Sequence, residues 1–214
     1  MKRREFLAIT AASTASLPVL ARCRTRLNAA PALSAGIDSA IFDARFAQAR
    51  RFGRILHGQG CTVSGFHGDV TALWSGRLDA GWRESADTVA GQTGKDCFFC
   101  LSQMAISHGV YPKFWIEHVF MSGGGVSHVL NGPANAVARA AGKLEAASDW
   151  VPATARLFAS LEVQNASKIV RKTVHAGTAD SGRDATGTRD EILVSWIMGP
   201  TRQVRLARRA QSRR

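Results

Sequence analysis

The residues best suited to chemistry fall into two groups. The first is Cys97-Phe98-Phe99-Cys100, two thiols three positions apart. At the amino end of a helix the backbone dipole favours the thiolate of the leading cysteine, which makes such a pair a candidate for thiol–disulfide exchange. The same spacing, carried on through Leu101, Met104, Ala105 and His108, puts both thiols on the apolar face of a helix, where they would be packing residues. The chain has 4 cysteines and no second Cys-x-x-Cys, so a four-cysteine zinc site has no ligand set. The second group is Asp69, Glu117 and His118, with Thr93, Gly94 and Lys95 nearby in the reading. A carboxylate and an imidazole are what general acid–base catalysis needs. A threonine, a glycine and a lysine where a helix begins can hold a small anion, because the first N–H groups of a helix have no partner within it.

Each candidate also has a plainer role. Asp43, Asp69 and Asp96 stand just before helical stretches and suit them as caps. Glu117 and His118 are neighbours in a strand, so their side chains project to opposite faces. His108 and His128 read as packing or surface residues. No Gly-x-Ser-x-Gly elbow, His-Glu-x-x-His or P-loop occurs. The glycine fingerprint of a dinucleotide site is missing after the first strand. No metal site and no particular cofactor is indicated.

These residues need a scaffold to bring them together. Apolar runs predict strands at 37–42, 61–66, 88–90, 113–120, 126–130, 168–174 and 191–198. Phe42, Phe46, Ala49 and Gly53, broadened by Phe52 and Leu56, form a helical stripe after Asp43. Shorter helical patterns follow Asp69, Asp96, Pro133 and Asp149. Residues 78–82 read as a turn with two apolar anchors. Gly91, Thr93 and Gly94 read as a tight turn leading into the cysteine helix. Strand–helix alternation predicts an α/β fold, a three-layer Rossmann-like domain with a mainly parallel sheet and helices on both faces. Residues 168–174 suit an edge strand. The late strand can join the sheet as an antiparallel edge. Ligands of such sheets bind beyond the carboxyl ends of the strands, which places Asp69, Thr93, Gly94, Lys95, Glu117 and His118 where a site is expected.

With 214 residues the chain has length for one well-buried core. The division expected is a signal at 1–21, a flexible lead-in at 22–36, one α/β domain at 37–200 and a basic, disordered tail at 201–214. The net charge of +12 is uneven, since the tail carries six arginines and no acid. The body is only mildly basic, and the tail has no aromatic residue to stack on bases, which argues against nucleic acid. Loose contact of the tail with an anionic membrane is the alternative to simple solvation.

The first 21 residues pair a basic Lys2-Arg3-Arg4 with a weakly apolar stretch and a small-residue cleavage pattern, and are too short to span a membrane. KRREFL closely resembles the twin-arginine signal of bacterial exported proteins. The resemblance implies passage through the twin-arginine translocase as a folded chain and a periplasmic location. It carries no activity with it. The reading is therefore an exported protein that binds a small, anionic molecule or serves as an accessory to a partner subunit. A thiol–disulfide oxidoreductase using Cys97 and Cys100, and a hydrolase of unfamiliar type, stay open beside it.

Overall fold

The computed structural model describes residues 36–85, 87–121, 125–163, 168–176 and 192–211. The expected signal, almost all of the expected lead-in, Cys23 and most of the polar stretch after His175 lie outside the described residues. The seven strands form one sheet in the order β2-β1-β3-β7-β4-β5-β6. These are β1 (Ser39–Asp43), β2 (Thr62–Phe66), β3 (Val89–Gly94), β4 (Val110–Phe120), β5 (Val126–Gly132), β6 (Val170–Ala176) and β7 (Leu193–Pro200). Strands β1, β2 and β3 pair in parallel, and every other pairing is antiparallel. The α/β, Rossmann-like class expected from the sequence is what forms, but the sheet is mixed, parallel only over its first three strands, rather than mainly parallel.

Helix α1 (Ala47–Gly58) links β1 to β2 and buries Ala49, Phe52 and Leu56 against one face. A crossover of α2 (Thr71–Leu73), a π-helical turn (Trp74–Leu78) and α3 (Asp79–Glu84) links β2 to β3. Its Val70, Leu78 and Trp82 pack in the core of the opposite face. Residues 78–82 are thus helical, and the anchors Leu78 and Trp82 are both buried. Helix α4 (Lys95–Ile106) shares that second face, while α5 (Ala134–Glu145) and α6 (Trp150–Ser160) share the first with α1. Edge-to-face contacts from Phe158 to Phe52 and Phe114, at 5.8 and 6.0 Å, tie α6 to α1 and β4.

Three local readings change. Gly91 makes no turn: it lies inside β3, where the indole of Trp196 occupies the space a side chain would fill. Strand β4 begins at Val110, before the Tyr111-Pro112 read as a break. Pro112 is accommodated because the register with β7 shifts between Pro112 and Phe114, a bulge that removes the need for an amide donor. The late strand is no edge. Strand β7 is antiparallel as foreseen, but it is inserted between β3 and β4 and buried along its whole length. The edge at β6 is as expected. Residues Arg202–Gln211 form helix α7 in place of a disordered tail, with Arg208 donating to the carbonyl of His108. Among the described residues, no helix is long and apolar enough to cross a membrane.

Candidate functional site

The chain leaves β1 to build β2 on one side and β3 on the other, with α1 and α2–α3 on opposite faces. In such sheets that reversal is where a ligand crevice is expected, beyond the carboxyl ends of the strands, here of β1 and β3. Asp43 ends β1 there and is fully buried. Its carboxylate accepts from the Arg45 and Gly68 backbone N–H groups, at 3.1 and 3.2 Å. It also accepts from Arg45 Nε at 3.0–3.1 Å and from Nη2 at 2.7 Å. Asp43 therefore organises the loop after β1 and caps no helix, since α1 starts beyond Phe46 without a side-chain cap. Arg45 is held side-on, and 39% of its side chain remains exposed. Side chains at Gly68 or Gly94 would run into this region, Gly68 against Arg45 itself and Gly94 against Asp96.

The residues singled out from sequence divide sharply. Lys95 reaches the crevice rim, is exposed, and pairs with Glu117 at 3.2 Å. Gly94 is buried directly beneath it. Thr93 is not available to a ligand: it is fully buried, accepts from Trp196 Nε1 at 3.1 Å and donates to the Gly94 carbonyl. Asp69 is exposed and accepts from the Thr71 N–H at 2.8 Å; the Thr71 side chain first, and this N–H second, hold its carboxyl below the ordinary range. It forms a local turn and is not the helix cap expected, since Val70 holds the cap position of α2. Between β2 and β4 stand β1, β3 and β7. At about 4.8 Å per spacing, Asp69 and the β4 pair Glu117 and His118 are roughly 19 Å apart. The acid–base constellation drawn from these residues does not assemble.

The thiols separate as well. Cys97 is buried and donates to the Gly68 carbonyl at 3.0 Å, whereas Cys100 is exposed. Helical spacing put both on the packing face; in fact Cys97, Leu101 and Ala105 make that face and Cys100 lies beside it. Burial, with Asp96 and Asp43 nearby, pushes the Cys97 thiol up to about 12. That environment opposes the thiolate that disulfide exchange requires.

His118 lies on the face opposite Glu117, as strand geometry demands, and is fully buried. It belongs to a polar row running across four strands. Gln92 Nε2 donates to Ser195 Oγ at 2.7 Å, Ser195 meets His118 Nε2 at 2.8 Å, and His118 Nδ1 meets His128 Nδ1 at 2.7 Å. Trp150 stacks on His118 with ring centroids 4.1 Å apart. If Ser195 donates to His118, the protons follow in one direction: His118 carries its own on Nδ1, and His128 on Nε2. Burial holds His118 well below its ordinary value and His128 at about 4. Both rings are therefore neutral at neutral pH. The serine and histidine touch no solvent, so the row is an internal strut rather than a catalytic dyad. Ser195 and Gln92 escaped the sequence reading because their partners lie 77 and 103 residues away. The signal that could have found them is a polar residue in the middle of an otherwise apolar strand.

Two shallow depressions of about 380 and 410 Å³ lie on the outer side of α5 and α6, with Arg139 and Ser160 lining both. No residue of the crevice lines either. Searches against family models, curated proteins and solved structures find no match to this chain.

Proposed function

We propose that the protein is exported and binds a small anionic molecule in the crevice at the carboxyl ends of β1 and β3. The observation that carries this reading is Arg45, fixed side-on by the buried Asp43 while two-fifths of it faces solvent. A guanidinium already held in place loses little freedom when a carboxylate or phosphate docks against it. Lys95 adds a second cation at the amino end of α4, within reach once it exchanges Glu117 for the ligand. Export follows from KRREFL, and replacing Arg3 and Arg4 together by lysine should leave the chain in the cytoplasm.

Succinate titrated into the full chain and followed by amide NMR tests the site. Saturable shifts at Gly68, Gly94 and Lys95, weakened in Lys95→Gln and lost in Arg45→Gln, are the expected result. If those three amides stay still while the fold is intact, the reading is wrong.

A further inference from the structure

At the opposite, amino end of the sheet, Arg205 of α7 donates through Nη2 to Thr88 Oγ1 at 2.6 Å. Gly199, near the end of β7, sits between them and β4. A Cβ there would lie 2.9 Å from Thr88 Oγ1 and 3.2 Å from Lys113 Nζ. Two polar groups, the Thr88 hydroxyl and the Lys113 ammonium, thus converge on one glycine, and Arg205 joins them through its hydrogen bond to Thr88. Thr88 is buried, and Lys113 and Arg205 are half-buried. Among the described residues, neither cation forms an ion pair with a carboxylate. Asp38, the acid hydrogen-bonded to this rim, has its Oδ2 on the Thr88 N–H at 2.8 Å, on the β1 side. Asp87 is influenced by Asp38 and Arg77. Burial first, and Arg205 second, pull the Lys113 ammonium down to about 8, with no acid among the influences. Two partly desolvated like charges without a counterion form an unfavourable arrangement that an anion would relieve.

The geometry points to a second anion site here, built by Thr88, Lys113 and Arg205 around Gly199, for the phosphate monoester of a small soluble molecule. Such a group is close to doubly charged at neutral pH and so matches two cations. Its tetrahedral oxygens can accept at once from an ammonium, a guanidinium and a hydroxyl. Thr88 is only 5% exposed, which places its hydroxyl below the surface and favours a solute over a flat bilayer. The site is independent of the crevice at the other end of the sheet.

Inorganic phosphate titrated into the labelled full chain at neutral pH and constant ionic strength is the test. It should give saturable amide shifts at Thr88, Lys113 and Gly199, and should raise the Lys113 ammonium pKa by about one unit or more, as a bound counter-charge does. Lys113→Gln and Arg205→Gln should each bind roughly tenfold more weakly, the loss expected for one charge-assisted contact. Lys143→Gln, on the exposed side of α5, should bind as the parent does. Lys113→Gln removes a repulsive charge, so the variant should fold and melt higher in phosphate-free buffer. Phosphate that leaves the Lys113 pKa where it was, or that binds Lys113→Gln as tightly as the parent, overturns the site. So does Arg205-dependent sedimentation with phosphatidic acid vesicles in the absence of any response to phosphate.

Discussion

The two ends of the sheet handle charge in opposite ways. At the carboxyl end the cations have acid partners: Arg45 lies on Asp43 and Lys95 on Glu117. At the amino end Lys113 and Arg205 cluster at the Thr88 hydroxyl, and among the described residues no carboxylate is paired to either. A closed pair fixes geometry and presents a prepared but neutralised surface. An open pair costs stability until something anionic arrives. The comparison teaches that cations can be readied for an anion in two ways: oriented by an acid of the fold, as at Arg45, or left without one, as at Lys113 and Arg205.

The largest effect that can test this contrast comes from acid, because the buried row behind the carboxyl end tolerates no charge. Both histidines have folded pKa values below the unfolded one, so the unfolded chain binds more protons. Their contribution is complete above about pH 6.5 and is lost as pH falls toward 4. For His128 alone this amounts to about 3 kcal/mol by pH 4. Denaturant melts across that range should show the loss, and His128→Gln should flatten it. A profile unchanged in His128→Gln would mean the ring is not the titrating group.

Next in size is Asp43→Ala, which strips Arg45 and the Gly68 amide of their acceptor at a fully buried position. A loss of about 1–2 kcal/mol is expected, since the Gly68 amide and the inner side of the Arg45 guanidinium lose their acceptor while the rest of Arg45 keeps its water. Chemical denaturation measures it, and a loss below about 0.5 kcal/mol, the scale of ordinary surface changes, would show that the clasp is not closed in solution.

At the amino end the sign reverses. Lys113→Met should raise stability by about 1–2 kcal/mol at neutral pH, a partial share of the ~3 kcal/mol its shift represents, because the group keeps some water. In the parent chain, stability from this group should rise between about pH 8 and 10.5, as the folded state sheds the proton first. A variant that melts lower would show that an acid already serves Lys113, and the two ends would then be alike. The smallest change is Lys95→Gln, within about 0.5 kcal/mol, because its bridge to Glu117 is exposed on the lysine side.

Much of this scaffold could be read from local pattern, and little of its chemistry. The stripe of Phe46, Ala49, Phe52 and Leu56 found α1, and the apolar runs found every strand, because period and composition act over a few residues. Asp149, foreseen before a helix, does cap α6 by accepting from Val151. Strand order is a different matter. Nothing within 193–200 says that this segment enters between β3 and β4 rather than along an edge. Thr93 looked like a ligand residue in a turn because the Trp196 side chain that claims it lies 103 residues further on. The amino-end cluster joins Thr88 to Arg205 across 117 residues. At Thr93 and at the amino-end cluster, what misled was a partner distant in the chain.

The position of β7 bears also on the order of assembly. During synthesis β1–β3 and β4–β6 emerge as two separate ribbons, and each keeps a bare inner edge until residues 193–200 have left the ribosome. Only then can β3 and β4 be bridged, through β7. Two open edges held apart by a missing middle strand invite pairing with other chains. Late, long-range closure of this kind is slow by its topology. Nascent chains stalled before residue 193 should therefore be engaged by chaperones and cleaved readily by protease, and become resistant in one step once β7 is free to insert.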